Sequence, residues 1–206
     1  MAARSTALLL VVATLFLATA GFAATQATGT NTVSPTLVVS VTVAKAVRLT
    51  LATGSLGSTP CTVSAGGGGD YSMSFGTVDA LGISAPTCGA QFAPTTPGAT
   101  NAVYYADYQI TPVFTSQSVS TNTLTAYVSS NFAKSNLSIV QANSTPGSIA
   151  GLTAMSTSSG SQTGVAKNAT SGTALTRYIG VSVAPDNGSG LTGSDSATVT
   201  YTLTVQ

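Results

Sequence analysis

The sequence predicts an all-β protein: a sandwich of about seven to nine short antiparallel strands, with a barrel as the alternative closure. Three observations carry this. Apolar residues alternate with Ser and Thr toward both ends of the chain. Ser and Thr supply 62 of 206 residues, 27 and 35 respectively, and Thr is the β-branched polar residue that suits the solvent face of a strand. No stretch carries the 3.6-residue apolar period of an amphipathic helix. The low charge and small residues also suit a disordered Ser/Thr stalk, but a stalk would not place Val, Ile, Leu, Tyr and Phe in alternating runs.

Taken in order, residues 1–23 read as a secretory signal peptide. Arg4 gives a positive start, Ala7 to Leu17 an apolar stretch, and Gly21-Phe22-Ala23 a small-residue cleavage site. Residues 24–35 are a polar lead without period, and 36–206 form a single domain. At its start Leu37, Val39, Val41 and Val43 share one parity against Thr36, Ser40 and Thr42; Val47, Leu49 and Leu51 resume it after Lys45. That is one bent strand or two strands, each with one buried face. Gly54, Gly57, Pro60 and Gly66–Gly69 make 53–70 a loop. Strands are predicted at Tyr71–Val78, Val103–Thr115, Thr123–Val128, Leu137–Ala142, Ser148–Met155, Leu175–Val183 and Ala197–Val205. In the second of these Tyr104, Ala106, Tyr108, Ile110 and Phe114 share one parity against Asp107, Gln109 and Thr111, and Pro112 confines its far end to an edge or bulge. Pro94–Gly98, Ser156–Gly164 and Pro185–Ser194 are turn-rich.

Charge and residue types narrow the function. Beyond residue 23, Lys45, Arg48, Lys134, Lys167 and Arg177 balance five Asp residues, and His, Glu and Trp are absent. There is no Lys/Arg stripe to neutralise phosphates, which excludes a basic nucleic-acid binder. Without imidazole there is no His-based zinc site and no Ser-His-Asp triad. The expectation is a non-enzyme without cofactor or metal. After Ala23 no apolar run approaches the ~20 residues of a membrane-spanning helix, so the expected product is exported and soluble.

The remaining motifs read as structure. Cys61 and Cys88, the two cysteines, are expected to pair in an oxidising compartment; the loop they close contributes roughly 3.5 kcal/mol by chain entropy. Gly66–Gly69 with Asp70 lacks the Gly-Lys-Ser/Thr and the following helix of a phosphate loop. Asp186-Asn187-Gly188 with Asp195 lacks the acidic spacing of a calcium loop. Asp79 and Asp107 are expected on solvated faces. Tyr105 is the exposed aromatic on which a sugar would stack, the basis of a rival reading as a monomeric adhesin or carbohydrate-binding module. The Asn136, Asn143, Asn168 and Asn187 sequons matter only in a glycosylating host.

The alternating termini suit strand addition between subunits, with 36–44 the donor strand and Leu37, Val39, Val41 and Val43 the inserting side chains. With the leader, Tyr71-Ser72-Met73-Ser74-Phe75-Gly76-Thr77-Val78, the Cys61/Cys88 pair and the end Ala197–Val205, the chain resembles the secreted bacterial pilin-like and spore coat protein U-like subunits. The resemblance implies an immunoglobulin-like sandwich on the cell surface. Such subunits assemble into a filament or coat with copies of themselves, aided by a periplasmic chaperone or an outer-membrane assembly factor.

Overall fold

The structure, a computed structural model, describes residues 39–41, 46–96, 100–115, 122–185 and 193–205. The chain divides into two units, Met1–Thr42 and Val43–Gln206. The predicted leader 1–23 and lead 24–35 lie outside the described residues, as do Leu37 and Val43. Residues 39–41 belong to no strand, and Val39 and Val41 are 80% and 84% exposed.

The second unit is built of antiparallel strands, which hold 46% of the described residues. They are β1 (Ala46–Thr53), β2 (Ser64–Ala65), β3 (Tyr71–Ser72), β4 (Ala90–Phe92), β5 (Ala102–Thr115), β6 (Asn122–Ser130), β7 (Leu137–Ala142), β8 (Thr153–Ala154), β9 (Thr163–Lys167), β10 (Leu175–Val183) and β11 (Thr198–Val205). The larger sheet runs β1-β5-β10-β7-β8, with β4 sharing the β1 edge of β5. The smaller runs β11-β6-β9, and β2 and β3 make a separate ribbon. Among the described residues the helical content is two single 3₁₀ turns, Gly67–Gly69 and Ile149–Gly151.

The two sheets share one core. Tyr108 and Ile110 of β5 meet Leu124, Ala126 and Val128 of β6 and Val165 of β9, with Met155 between them. The alternation of β5 and β6 makes these side chains point one way. On one side of the molecule the chain itself joins the sheets. Met155 N–H donates to Ile139 of β7 at 3.0 Å, and the next carbonyl, of Ser156, accepts from Val128 N–H of β6 at 2.8 Å. Pro112 is tolerated in β5 because the β10 ladder stops at Ile110; beyond it Pro112 pairs only Leu49 of β1.

Three sequence expectations are corrected. β5 is buried on both faces: Val103, Tyr105 and Asp107, on its supposed solvent parity, are 2%, 7% and 4% exposed. The outer face of the larger sheet carries its own cluster of Val103, Tyr105, Val140, Ala142, Leu152 and Tyr178. Residues 148–155 are a 3₁₀ turn closed by local hydrogen bonds and then only two residues of strand. Tyr71–Val78 ladders only at Tyr71–Ser72. Its alternation is nevertheless real: Tyr71, Met73 and Phe75 are half-buried and Ser72, Ser74 and Gly76 exposed. The segment packs its apolar face without a strand to bond to.

Candidate functional site: an open apolar cleft

The inner face of the larger sheet is longer than the smaller sheet can cover. Along β5, Tyr108 and Ile110 lie under the smaller sheet, Ala106 under the Cys61–Cys88 disulfide, and Tyr104 under Phe75, Val78 and Ala80. Between these covers runs a cleft of about 1420 Å³. Its floor is Leu49 and Leu51 of β1, Tyr108 of β5, Ile179 and Val181 of β10, and Ile139 of β7. One wall is the segment Gly69–Ala80; the other is β11 with residues 193–197 leading into it. A smaller concavity of about 180 Å³ between β1 and β11 is lined by Val47, Leu49, Tyr201 and Leu203 on the same side.

The edges flanking this side are bare. β1 and β11 are each the terminal strand of a sheet, without a second strand partner among the described residues. β11 holds eight residues, alternating Val199, Tyr201, Leu203 and Val205 with threonines. Its inward side chains Val199, Tyr201 and Leu203 are only half-buried, whereas Leu124 and Ala126 on the adjacent β6 are fully buried. No Lys or Pro interrupts β11, and its one irregularity is a register shift at its start, between Thr198 and Val199, so from Val199 on the edge carries no charge or proline to blunt it.

Polar groups fix the cleft's margins. Tyr201 O–H donates to Tyr108 Oη at 2.9 Å across the two sheets. Burial pushes both hydroxyls up, that of Tyr201 well above its ordinary value, so both stay neutral. At one end the Asp195 carboxylate accepts the N–H groups of Lys134 at 2.7 Å, Ser196 at 2.8 Å and Ala133 at 3.3 Å, with the Lys134 ammonium 4.0 Å away. The Lys134 N–H bond, foremost, holds its carboxyl below the usual range. On the opposite wall the Tyr104 hydroxyl accepts from Asp79 N–H and donates to its carbonyl, both at 3.2 Å.

The remaining predicted residues fall as follows. Cys61 and Cys88 are bonded and buried, 1% and 8% exposed. Tyr105 is stacked on Phe92 at 4.8 Å between ring centroids, so it offers no face to a sugar; Gly180 makes room beneath it, where a Cβ would crowd the Tyr105 side chain and Tyr104 carbonyl. Asp107, expected in solvent, accepts the N–H groups of Ser55 and Leu56 at 2.7–2.8 Å and pins the turn leaving β1. Gly54 allows that close approach. Gly67–Gly69 form an exposed turn. Asp186–Gly188 lie outside the described residues. No group of three or more metal-ligating side chains occurs among the described residues.

The cleft itself was not legible in the sequence. Its one signal was the alternating segment 71–76, read as a strand of the sandwich rather than as a wall standing apart from both sheets. No family model, curated protein or solved structure matches this chain.

Proposed function

We propose that this protein is a non-catalytic structural subunit of an extracellular filament or surface coat, assembled by β-strand addition. Residues 36–44 of one copy enter the cleft of the next. The observation that supports this most is the pairing of a bare β11 edge with an apolar cleft beside it, in a chain whose Val39 and Val41 are exposed. An added strand would bond β11 through its backbone and set alternate side chains on the floor. Leu37, Val39, Val41 and Val43 have that alternation, and each fully buried side chain of this kind contributes roughly 1.5–3 kcal/mol. We read the two sheets, with the added strand, as an immunoglobulin-like sandwich of seven to nine principal strands. A chaperone or an outer-membrane assembly factor that shields the cleft before assembly belongs to the same reading, as do export and a surface location.

Electron microscopy of the purified chain beside Val41→Asp tests it. Filaments or sheets are expected from the unmodified protein, and folded monomers from the variant, since a carboxylate cannot be buried unpaired on an apolar floor. An undiminished polymer from Val41→Asp, or an unmodified chain that stays monomeric with chaperone and assembly factor supplied, would overturn the proposal.

A further inference from the structure

The disulfide sits where the cleft is made rather than where the sheets are joined. Cys61 and Cys88 pack on Ala106, and the side chains that close over them are Met73 and Phe75, both on the cleft wall. The Ser74 carbonyl oxygen lies 3.2 Å from Cys88 Sγ. The stretch from Cys61 to Cys88 contributes no strand to either sheet; its ladder is the two-pair β2–β3 ribbon. Its other backbone bonds are mostly short-range, as from Gly66 N–H to Asp70 O and Gly76 N–H to Ser74 Oγ. Its ties to the larger sheet lie toward its two ends: Val63 N–H to Thr53 Oγ1 of β1, the Gly82 carbonyl accepting from Gln91 Nε2 of β4, and the Asp79 and Ser84 backbone at the Tyr104 hydroxyl of β5. Between Val63 and Asp79, where Met73 and Phe75 line the cleft, the wall rests on the disulfide rather than on a ladder to either sheet.

We infer that oxidation of Cys61 and Cys88 is the step that makes the chain able to accept a strand: the bond builds the cleft wall, while both sheets form without it. This rests on the assembly reading for its consequence and on the geometry alone for the wall. In the oxidation the two thiols give up two electrons and two protons to a disulfide oxidant, such as oxidised glutathione or a protein disulfide, which leaves as two thiols. Once closed the bond is buried, so the gain persists: a reductant reaches Cys61 only by opening the wall. A reduced chain exposes the same bare β11 edge but has no wall to seat the donor's side chains, and so does not accept one.

The test compares the full-length unmodified protein, oxidised, with Cys61→Ala/Cys88→Ala, in two readouts. In hydrogen exchange, the double variant is expected to exchange the amides of 62–77 about 100-fold faster while β5, β6 and β10 keep their protection. In binding, a synthetic peptide of residues 36–44 is expected to bind the variant about tenfold more weakly or less, with polymer lost in parallel. Equal exchange in 62–77, or loss of protection throughout the sheets, overturns the inference, as does a variant that binds the peptide as tightly as the unmodified chain. An unmodified protein that neither binds the peptide nor polymerises strikes the assembly reading and with it the claim of acceptance. The exchange comparison still decides whether the disulfide holds the wall.

Discussion

The two faces of the larger sheet differ in a direction opposite to the one its alternation suggests. The outer face, predicted to meet water, is closed: Tyr105 lies under Phe92, Tyr178 donates or accepts a bond with Thr145 at 2.7 Å, and Leu152 covers Val140 and Ala142. The inner face, predicted to be the core, is only partly closed, with Ile179 and Ile139 left half-buried beside the cleft. Apolar surface is thus fully covered by the chain's own loops where no second sheet exists, and incompletely covered where one does.

The contrast is broken most directly by truncating one side chain on each face. Tyr105→Ala is expected to cost about 3 kcal/mol, in the range for buried aromatic truncations. Ile179→Ala, on a floor that is already open, is expected to cost about 1 kcal/mol, because less surface leaves water there on folding. Urea denaturation of the two variants measures the difference. Equal costs would mean that the cleft is as well packed as the outer face.

A smaller effect probes how the outer face is tied at its edge. Asp107→Ala leaves the N–H groups of Ser55 and Leu56 without their acceptor, and about 2 kcal/mol of destabilisation is expected. Asp107→Asn, which keeps one carbonyl oxygen there, should recover part of it by the same measurement.

The smallest effect lies at the cleft's rim and is read by pH. Partial burial would raise the Asp79 carboxyl, but the N–H groups of Ser84 at 2.6 Å, Leu81 at 2.8 Å and Ile83 at 3.2 Å outweigh it. The result is a value of about 2 against the ordinary 3.8. A folded value below the unfolded one stabilises the turn above about pH 4 and loses that contribution as the pH falls toward 2. The amides of Leu81, Ile83 and Ser84 are therefore expected to exchange faster in that window, relative to the intrinsic rate, while β5 does not change. The same exchange profile in Asp79→Asn at pH 7 and at pH 3 would confirm the carboxylate as the titrating group.

How much of this was written in the chain varies by region. The strands whose apolar residues alternate over six or more positions, β5, β6, β7, β10 and β11, lie where the pattern put them, to within one or two residues. The disulfide followed from there being two cysteines. β9 was hidden because its one core residue, Val165, sits opposite a register shift between Leu124 and Thr125 that interrupts the alternation. Asp107 and Tyr105 were misread because parity reports only that two faces exist; what lies against the second face is decided by segments at other positions, the turn at Ser55–Leu56 and Phe92 of β4. The cleft was illegible for a related reason. It is defined by where a covering element stops, and a stretch such as Met73–Phe75 has the same alternation whether it ladders or only leans.

The joints of this molecule are also far apart along the chain. Ala46 bonds Thr115 across 69 residues, Ser129 reaches Thr198 across 69, and Tyr108 meets Tyr201 across 93. β11, the last strand in the described sequence, has no place until β6 has formed, and β5 waits for β10 to complete its ladder. Topologies dominated by such distant closures fold in milliseconds to seconds, since loop entropy is spent before contacts return it. Throughout that interval the strands of β5 and β11 present unpaired backbone to any neighbour. The order in which distant segments meet, more than any single contact, then sets how long this chain's strand edges stay open.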